Sequence, residues 1–272
     1  DEYQLYQTLV GAWPLDLSPE DQSGIAAFAD RVSGWQQKAL REGKLRSSWT
    51  APDEAYEAAC EDFLRACLDV SRSSAFLADL TGFVKRIAPA GAMNGIVQAV
   101  LRCTVPGVPD LYQGAEYWDL SLVDPDNRRP VDFATRQAAA AQAAGASELL
   151  ATWRDGRVKQ AAIVEALHLR REHPALFLDG GYEPLDIRGS RAANVIAFVR
   201  RHGDEAILVA AALRCAGAVA GSGAPSVPVE WWGDTVVHLP AGLSLGDDAG
   251  AAIPIATLLD RMPATIRRLR RG

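Results

Sequence analysis

Hydrophobic side chains in the first ninety residues recur at intervals of three and four positions, the spacing of a helix with one buried face. Three such apolar stripes stand at residues 25–32, 56–67 and 76–87. The first two follow segments in which a hydroxyl residue, a proline and an acid stand close together, at residues 18–21 and 50–53. That combination predicts a helix start. Pro89 is expected to end the third helix, because proline has no amide hydrogen to donate within a helix.

The pattern changes along the rest of the chain. Helical spacing continues at residues 95–101, 132–150 and 158–172. Residues 194–200 and 205–210 are two apolar runs separated by a short segment that contains Gly203, which predicts a hairpin, and residues 235–239 alternate like a further strand. We therefore predict an α+β protein that is mainly helical at first and antiparallel after a boundary near Phe177.

Composition and charge exclude several classes of protein. Hydrophobic residues make up 49% of the 272 positions and charged residues 23%, which is the balance of a globular protein. The net charge of −6 argues against a nucleic-acid partner, which needs a basic surface, and the basic residues 267–271 are expected to be a solvated end. No apolar stretch reaches the roughly 18 to 20 residues of a membrane helix, so no membrane partner is expected. The chain starts at Asp1 within a segment that looks structured, so we expect a longer parent protein.

The four cysteines and four histidines form no ligand or redox pattern. Cys60, Cys67, Cys103 and Cys215 contain no C-x-x-C pair, so a zinc site is not expected. Free thiols in a reducing cytoplasm are the expectation. The histidines are scattered and are interpreted as structural. No phosphate-binding motif and no nucleophile elbow is present, so no cofactor, metal or hydrolase triad is expected.

Candidate chemistry concentrates between residues 107 and 133. Residues 108–112 form a short apolar run that predicts a buried strand, and residues 113–130 form a long polar connection. A buried strand that opens into a polar loop is how α/β barrels present site residues. The loop offers flat aromatic faces, acceptors and forked donors, which suit a sugar. Its candidate sugar-binding residues are Tyr112, Gln113, Glu116, Trp118, Asp119, Asp126, Arg128 and Arg129.

Simpler interpretations of these residues remain open. Asp126, Arg128 and Arg129 could brace the loop through ion pairs and turn hydrogen bonds, since D-P-D-N is also a turn signal. A second candidate segment at residues 38–49 contains Lys44, which could reach sugar hydroxyls, and Trp49, which could stack on a ring. The alternative for that segment is a solvated helix face that ends in a packed tryptophan.

A family resemblance is carried by long continuous strings. Residues 107–114 (GVPDLYQG) resemble the eighth-strand segment of the α-amylase superfamily of glycoside hydrolases. The continuation at residues 116–132 (EYWDLSLVDPDNRRPVD) resembles the maltooligosyltrehalose synthases. Residues 2–14 and 170–177 also fit, so the resemblance covers essentially the whole chain. Ala115 and Tyr117 depart from that family pattern without removing a charged group.

The resemblance implies an architecture in three parts. Residues 1–90 would be a helical insertion, residues 91–176 the last strand and helices of a (β/α)8 catalytic barrel, and residues 177–272 a C-terminal antiparallel β-domain. The fold class is therefore α+β, with a mainly helical remainder of the barrel in front of the β-domain.

The resemblance also implies a reaction. The family rearranges the α-1,4 bond at the reducing end of a maltooligosaccharide to an α,α-1,1 bond, by an intramolecular transglucosylation with retention. Its catalytic carboxylates would lie upstream of Asp1, so this chain is expected to contain no catalytic residue and to be inactive alone. The expected partners are a maltooligosaccharide and the missing N-terminal catalytic portion. Alternatives are an α-glucan hydrolase of the same superfamily and a non-catalytic glucan-binding subunit.

Overall fold

The computed structural model describes residues 1–142, 144–220, 222–246, 248–249 and 252–271. Helices and antiparallel sheets are both present, which confirms the predicted α+β class. The chain divides into two compact units. Unit 1 consists of Asp1–Ala88 and Asp119–Val131, and unit 2 of Pro89–Trp118 and Asp132–Gly272. The predicted division into three parts at residues 90 and 176 stays a prediction.

Unit 1 is helical, and the predicted apolar stripes form its core. Its helices are α1 Glu2–Ala12, α2 Gln22–Gly43, α3 Glu54–Leu68 and the first part of α4 Val70–Thr104, with a short 3-10 turn at Asp126–Arg128. Leu9, Phe28, Val32, Leu64 and Leu77 are buried in one cluster. Burying each such side chain stabilises the fold by roughly 1.5–3 kcal/mol.

The first two predicted helix starts lie three residues too early. Asp21 is the N-cap of α2 and its Oδ1 accepts from the Gly24 amide at 3.0 Å, while Asp53 caps α3 by accepting from the Tyr56 amide at 3.0 Å. Ser18 and Thr50 are therefore not the caps. An aspartate caps as well as a hydroxyl residue does, and it satisfies an amide that would otherwise have no partner within the helix.

Pro89 does not end a helix, contrary to the prediction. It lies inside α4, where Ser73 is the residue with non-helical dihedral angles. The apolar stripe continues past the proline, and Met93, Ile96 and Val97 are buried. Burial of three such side chains offsets the cost of about 3 kcal/mol of a proline within a helix.

Unit 2 begins with the second part of α4 and continues with short helices. These are α5 Phe133–Ala141, α6 Ala146–Leu149, α7 Arg157–Glu172, α8 Pro174–Leu178, α9 Ala216–Val219 and α10 Ile255–Leu258, with 3-10 turns at Leu150–Asp155, Ala192–Asn194 and Val229–Trp232. The single helix predicted over residues 132–150 is thus interrupted, and residue 143 lies outside the described residues. Gly145 is extended, with φ −65° and ψ 146°, so it starts α6 as a new helix.

The rest of unit 2 contains two antiparallel sheets, which confirms the predicted change from helices to strands. Their strands are β1 Gly181–Pro184, β2 Ile187–Arg188, β3 Val195–His202, β4 Glu205–Ala212, β5 Val236–His238, β6 Leu243–Leu245, β7 Asp248–Ala249, β8 Ala252–Pro254 and β9 Ala264–Arg271. One sheet has the order β1-β3-β4-β9-β6-β7 and the other β2-β5-β8. His202 pairs with Glu205 across a two-residue turn in which Gly203 has a φ of +58°, so the predicted hairpin is confirmed.

The predicted buried strand at residues 108–112 is wrong for this structure. The segment has no strand assignment, and its apolar side chains are open, with Val108 87% exposed and Tyr112 52% exposed. A strand needs neighbouring strands that bind its amide and carbonyl groups, and the described sheet pairings do not include this segment. Instead the Asp110 carbonyl accepts from Arg102 Nη1 at 2.9 Å.

Among the described residues, no helix combines the length and the apolar character needed to cross a bilayer. The four cysteines are free thiols, as predicted. Cys67, Cys103 and Cys215 are buried, and burial raises the pKa of Cys215 to about 11, so this thiol stays protonated.

Candidate functional site

The predicted sugar-binding residues form two groups, one in each unit. Unit 1 contains Asp119, Asp126, Arg128, Arg129, Lys44 and Trp49, and unit 2 contains Tyr112, Gln113, Glu116 and Trp118. A cavity of about 670 Å³ in unit 2, lined by residues of α7 and β9, contains none of the ten.

Asp126 is the centre of the group in unit 1. Its carboxylate accepts from Arg31 Nε at 3.1 Å and Nη2 at 3.0 Å, and from the Leu122 amide at 2.7 Å. Arg129 Nε lies 3.0 Å from Asp126 Oδ1 as a further cation. The Asp126 side chain is only 8% exposed. Burial acts to raise its pKa, but the bonds from Arg31 and Leu122 and the charges of Arg31 and Arg129 outweigh burial and lower it. Asp126 is therefore an anion held by the protein itself.

Arg31 is a residue that the sequence analysis missed. It lies on α2, seven residues before Lys38, so both cations project from one face of that helix. Arg31 Nη2 also donates to the Leu120 carbonyl at 3.0 Å, and Lys38 Nζ donates to the Asp124 carbonyl at 2.8 Å. The two cations thus tie the loop at residues 119–131 to α2. The seven-residue spacing is the signal that could have drawn attention to them.

The other loop residues of unit 1 are braced to different extents. Asp119 Oδ1 accepts from the Ser121 amide at 3.0 Å, and Arg129 Nε donates to the Asp126 carbonyl at 3.0 Å. Arg128 forms an ion pair with Asp124 but is 70% exposed. The bracing interpretation therefore accounts for the contacts of Asp119, Asp126 and Arg129. Arg128 is the charged side chain among them with the most freedom to meet a ligand.

The segment around Lys44 and Trp49 is held by a second ion pair, between Arg41 and Glu57. Lys44 ends α2 in a left-handed conformation with a φ of +54°, and its side chain is exposed. The Trp49 side chain is 56% exposed, and the centre of its ring lies 5.0 Å from the Arg41 guanidinium carbon. An aromatic face that is partly covered by a cation remains able to stack on a sugar ring.

Glu57 fixes that segment, and the sequence analysis did not single it out. Arg41 donates to it from Nε at 2.8 Å and from Nη2 at 2.7 Å, and the Ser47 hydroxyl donates as well. Ser47 Oγ in turn accepts from the Asp53 amide at 3.1 Å. The hydrogen bonds from Arg41 and Ser47 lower the pKa of Glu57 to about 2. Glu57 therefore stays ionised and positions the turn before Trp49.

Trp118 in unit 2 is packed rather than open. Its Nε1 donates to the Trp153 carbonyl at 2.7 Å, and the two indole rings meet edge to face with centroids 6.2 Å apart. A Cβ atom at Gly95 would come within 3.2 Å of the Trp118 ring, so this position on α4 suits glycine. The main contacts of Trp118 are those of a structural residue.

Glu116 lies beside a cation that the sequence analysis also missed. Arg136 Nε is 3.4 Å from Glu116 Oε2, and Arg136 Nη2 donates to the Gly114 carbonyl at 3.1 Å. The Arg136 guanidinium carbon is 4.6 Å from the centre of the Tyr117 ring. Glu116 Oε2 and Arg136 Nε are both buried without a hydrogen bond of good geometry. The carboxylate thus keeps capacity to accept from another group.

Comparison with known proteins gives a consistent relationship. No family model matches the chain. Proteins of Mycobacterium tuberculosis strains CDC 1551 and H37Rv, assigned as maltooligosyl trehalose synthases, are 38% identical over 206 residues, which is 76% of this chain and 24% of each relative. The structure of the maltooligosyltrehalose synthase from Arthrobacter ramosus matches all of this chain and 32% of its own, with a TM-score of 0.71 and 32% identity. The chain is related to the maltooligosyltrehalose synthases and matches a C-terminal portion of them.

A hypothetical maltooligosyl trehalose synthase from Sulfolobus tokodaii extends the relationship, with a TM-score of 0.60 and 26% identity over 78% of this chain and 27% of its own. The predicted family resemblance is therefore confirmed. The chain spans about a quarter of the length of the curated maltooligosyltrehalose synthases that it matches.

The chemistry available to the open side chains is hydrogen bonding and stacking. Tyr112 and Gln113 have exposed side chains, and neither side chain forms a hydrogen bond or a ring contact within the part of the chain that the structure describes. Together with Arg128 and Trp49 they are the open members of the predicted set. No group of acidic, histidine or cysteine side chains among the described residues could hold a metal ion.

Proposed function

We propose that this chain is the C-terminal part of a (1→4)-α-D-glucan 1-α-D-glucosylmutase. The enzyme would convert the reducing-end α-1,4 bond of a maltooligosaccharide to an α,α-1,1 bond, as a step of trehalose biosynthesis. The observation that carries the proposal is the match of the whole chain to the Arthrobacter ramosus enzyme, with a TM-score of 0.71. The 38% identity to the Mycobacterium tuberculosis proteins supports it independently.

In this proposal the reacting carboxylates belong to the portion of the enzyme outside this chain. A retaining transfer needs a nucleophilic carboxylate and an acid about 5 Å apart. The remaining portion would complete a (β/α)8 barrel, and residues 108–112, which form no strand in this structure, would be covered by it. The exposure of Val108 and Tyr112 supports this, because neighbouring apolar side chains that are left open often mark a surface that another part of a protein covers. This chain alone would be inactive.

The predicted residues of each unit would then line sites for the reducing-end glucose units. Tyr112 and Trp49 would stack on sugar rings, and Gln113, Glu116, Arg128 and Lys44 would bind hydroxyl groups. The remaining residues would mainly support the others. Within unit 1, Asp126 and Arg129 would brace the loop and Asp119 would fix its first turn. Within unit 2, Trp118 would pack against Trp153. No cofactor is needed for this chemistry. Free thiols on all four cysteines are consistent with a cytoplasmic enzyme.

Reconstitution tests the proposal. This chain and a separately expressed N-terminal portion of the Arthrobacter ramosus enzyme are incubated with maltopentaose, alone and together. We expect only the mixture to form a product that lacks a reducing end and contains the α,α-1,1 bond, measured by NMR. Release of glucose or maltose without that product would favour a hydrolase. Saturable binding of maltopentaose by this chain, without restored turnover, would favour a glucan-binding subunit.

A further inference from the structure

Six backbone carbonyls between residues 103 and 117 of unit 2 accept hydrogen bonds from cationic side chains. Arg170 donates to two of these carbonyls, and four further cations donate to one each. The pairs are Arg170 with Cys103 and Gly107, Arg200 with Thr104, Arg102 with Asp110, Arg136 with Gly114 and Lys159 with Tyr117, at 2.9 to 3.2 Å. The conformation of this segment therefore depends on side chains from α4, α5, α7 and β3.

Arg136 on α5 differs from the other four cations, because it also faces a charged side chain of the candidate site, Glu116. Its Nη1 donates to the Asp132 carbonyl at 3.0 Å, its Nη2 to the Gly114 carbonyl, and its Nε faces Glu116. The flat guanidinium also covers the Tyr117 ring. The planar guanidinium can donate in these three directions at once, whereas the single ammonium group of a lysine cannot.

Arg136 is itself held in place. The buried amide side chain of Gln160 on α7 donates from Nε2 to the Arg136 carbonyl at 2.9 Å. The guanidinium thus projects from an anchored backbone toward the turn at residues 114–117. Two hydrogen bonds close that turn, from the Ala115 amide to the Tyr112 carbonyl at 3.0 Å and from the Tyr117 amide to the Gly114 carbonyl at 3.3 Å.

We propose that Arg136 is a positioning residue that holds the Glu116 carboxylate and the turn at residues 114–117 in the conformation that meets a sugar hydroxyl. The proposal rests on the proposed function, because it assigns Glu116 a hydroxyl of the glucan. Glu116 Oε2 is buried against Arg136, but the Glu116 side chain is 27% exposed, so its carboxylate can still accept a hydrogen bond from a substrate. Arg136 lies close enough to fix that oxygen by its charge.

The first test uses this chain alone and does not depend on turnover. Hydrogen exchange of the Ala115 and Tyr117 amides is compared in the wild type, Arg136→Ala, Arg136→Lys and the control Arg171→Ala, which removes an exposed cation of α7. We expect about tenfold faster exchange in Arg136→Ala, a smaller change in Arg136→Lys and none in the control. Unchanged exchange in Arg136→Ala would overturn the proposal. If Arg136→Ala does not fold, Arg136→Lys carries the comparison.

The second test is a double-mutant cycle in the reconstituted enzyme. Arg136→Ala and Glu116→Gln are each expected to lower kcat about tenfold. The double variant is expected to have a kcat no lower than that of the less active single variant, because both changes remove the same interaction. A hundredfold loss in the double variant would mean independent roles and would contradict the proposal. If the wild-type mixture forms no α,α-1,1 product, the proposed function fails, while the exchange experiment still decides whether Arg136 holds the turn.

Discussion

Arg31 and Asp126 lie 95 residues apart in the sequence and are joined by two hydrogen bonds of 3.1 and 3.0 Å. Two parallel bonds between a guanidinium and a carboxylate are stronger and more specific in geometry than one. This pair makes α2 the support of the loop that follows Trp118 within unit 1. It also changes the role of Asp126, because its acceptor positions are largely used by the protein before any sugar arrives.

Removing Arg31 should destabilise unit 1. Arg31→Ala leaves the Asp126 carboxylate largely buried with a weaker set of partners, so we expect the free energy of unfolding to fall by roughly 1–3 kcal/mol. Urea unfolding followed by circular dichroism measures the change. Arg72→Ala, which removes an exposed arginine of the same unit, is the control and should differ little from the wild type. Equal midpoints for Arg31→Ala and the control would contradict a supporting role of the pair.

Local patterns in the sequence were sufficient for the elements that form from neighbouring residues. The stripes of α2 and α3 and the β3–β4 hairpin follow from the spacing of apolar residues and from Gly203. Pro89 was misjudged, because the burial that carries α4 past the proline comes from residues that follow it. The strand at residues 108–112 was misjudged because strand formation depends on partners elsewhere in a sheet.

The candidate site was predictable only in part for the same reason. The loop could be located from its composition, but its pairing with the cations that hold it could not. Arg31 acts on residues about ninety positions away, and Arg200 donates to Thr104, which precedes it by 96 positions. The seven-residue spacing of Arg31 and Lys38 places them on one helix face, but it does not identify their partners in the loop. The distinction between an open residue such as Tyr112 and a packed one such as Trp118 likewise depends on tertiary contacts.

The stability that Glu57 contributes should depend on acid pH. Its pKa is lowered from an ordinary value of 4.5 to about 2 by Arg41 and Ser47. A carboxylate whose pKa falls on folding stabilises the protein above its unfolded pKa, and that contribution is lost as the pH falls through the folded value. The difference in free energy of unfolding between the wild type and Glu57→Gln should therefore be constant above about pH 5 and shrink between pH 4.5 and 2.

Urea unfolding at a series of pH values measures this difference. Glu54→Gln is the matched control, since Glu54 is an exposed acid one turn earlier on α3. A difference for Glu57→Gln that does not change with pH would contradict the assignment of the effect to ionisation.

Arg200 should be the most costly arginine of unit 2 to replace. Its side chain is 1% exposed, and it donates to five backbone carbonyls at 2.9 to 3.3 Å: those of Thr104, Leu176, Phe177, Gly180 and Gly181. Arg200→Met keeps much of the volume but leaves these carbonyls with fewer donors. We expect a loss of roughly 3–5 kcal/mol in the free energy of unfolding. Arg201→Ala, at the exposed neighbouring position, is the control, and a similar loss in both variants would contradict the role of the buried guanidinium.

Arg128 is the charged loop residue whose removal should affect catalysis more than stability. Its side chain is 70% exposed and pairs with Asp124 through Nε. The other guanidinium nitrogens can therefore donate to a sugar hydroxyl. A lost charge-assisted hydrogen bond to substrate costs roughly 1.5–3 kcal/mol, so Arg128→Ala should lower the formation of the α,α-1,1 product about tenfold or more in the reconstituted enzyme. Its urea midpoint should match that of Arg72→Ala. The midpoint should not change because an exposed ion pair contributes little to the stability of the fold. Unchanged product formation together with an unchanged rate of hydrolysis would remove Arg128 from the site.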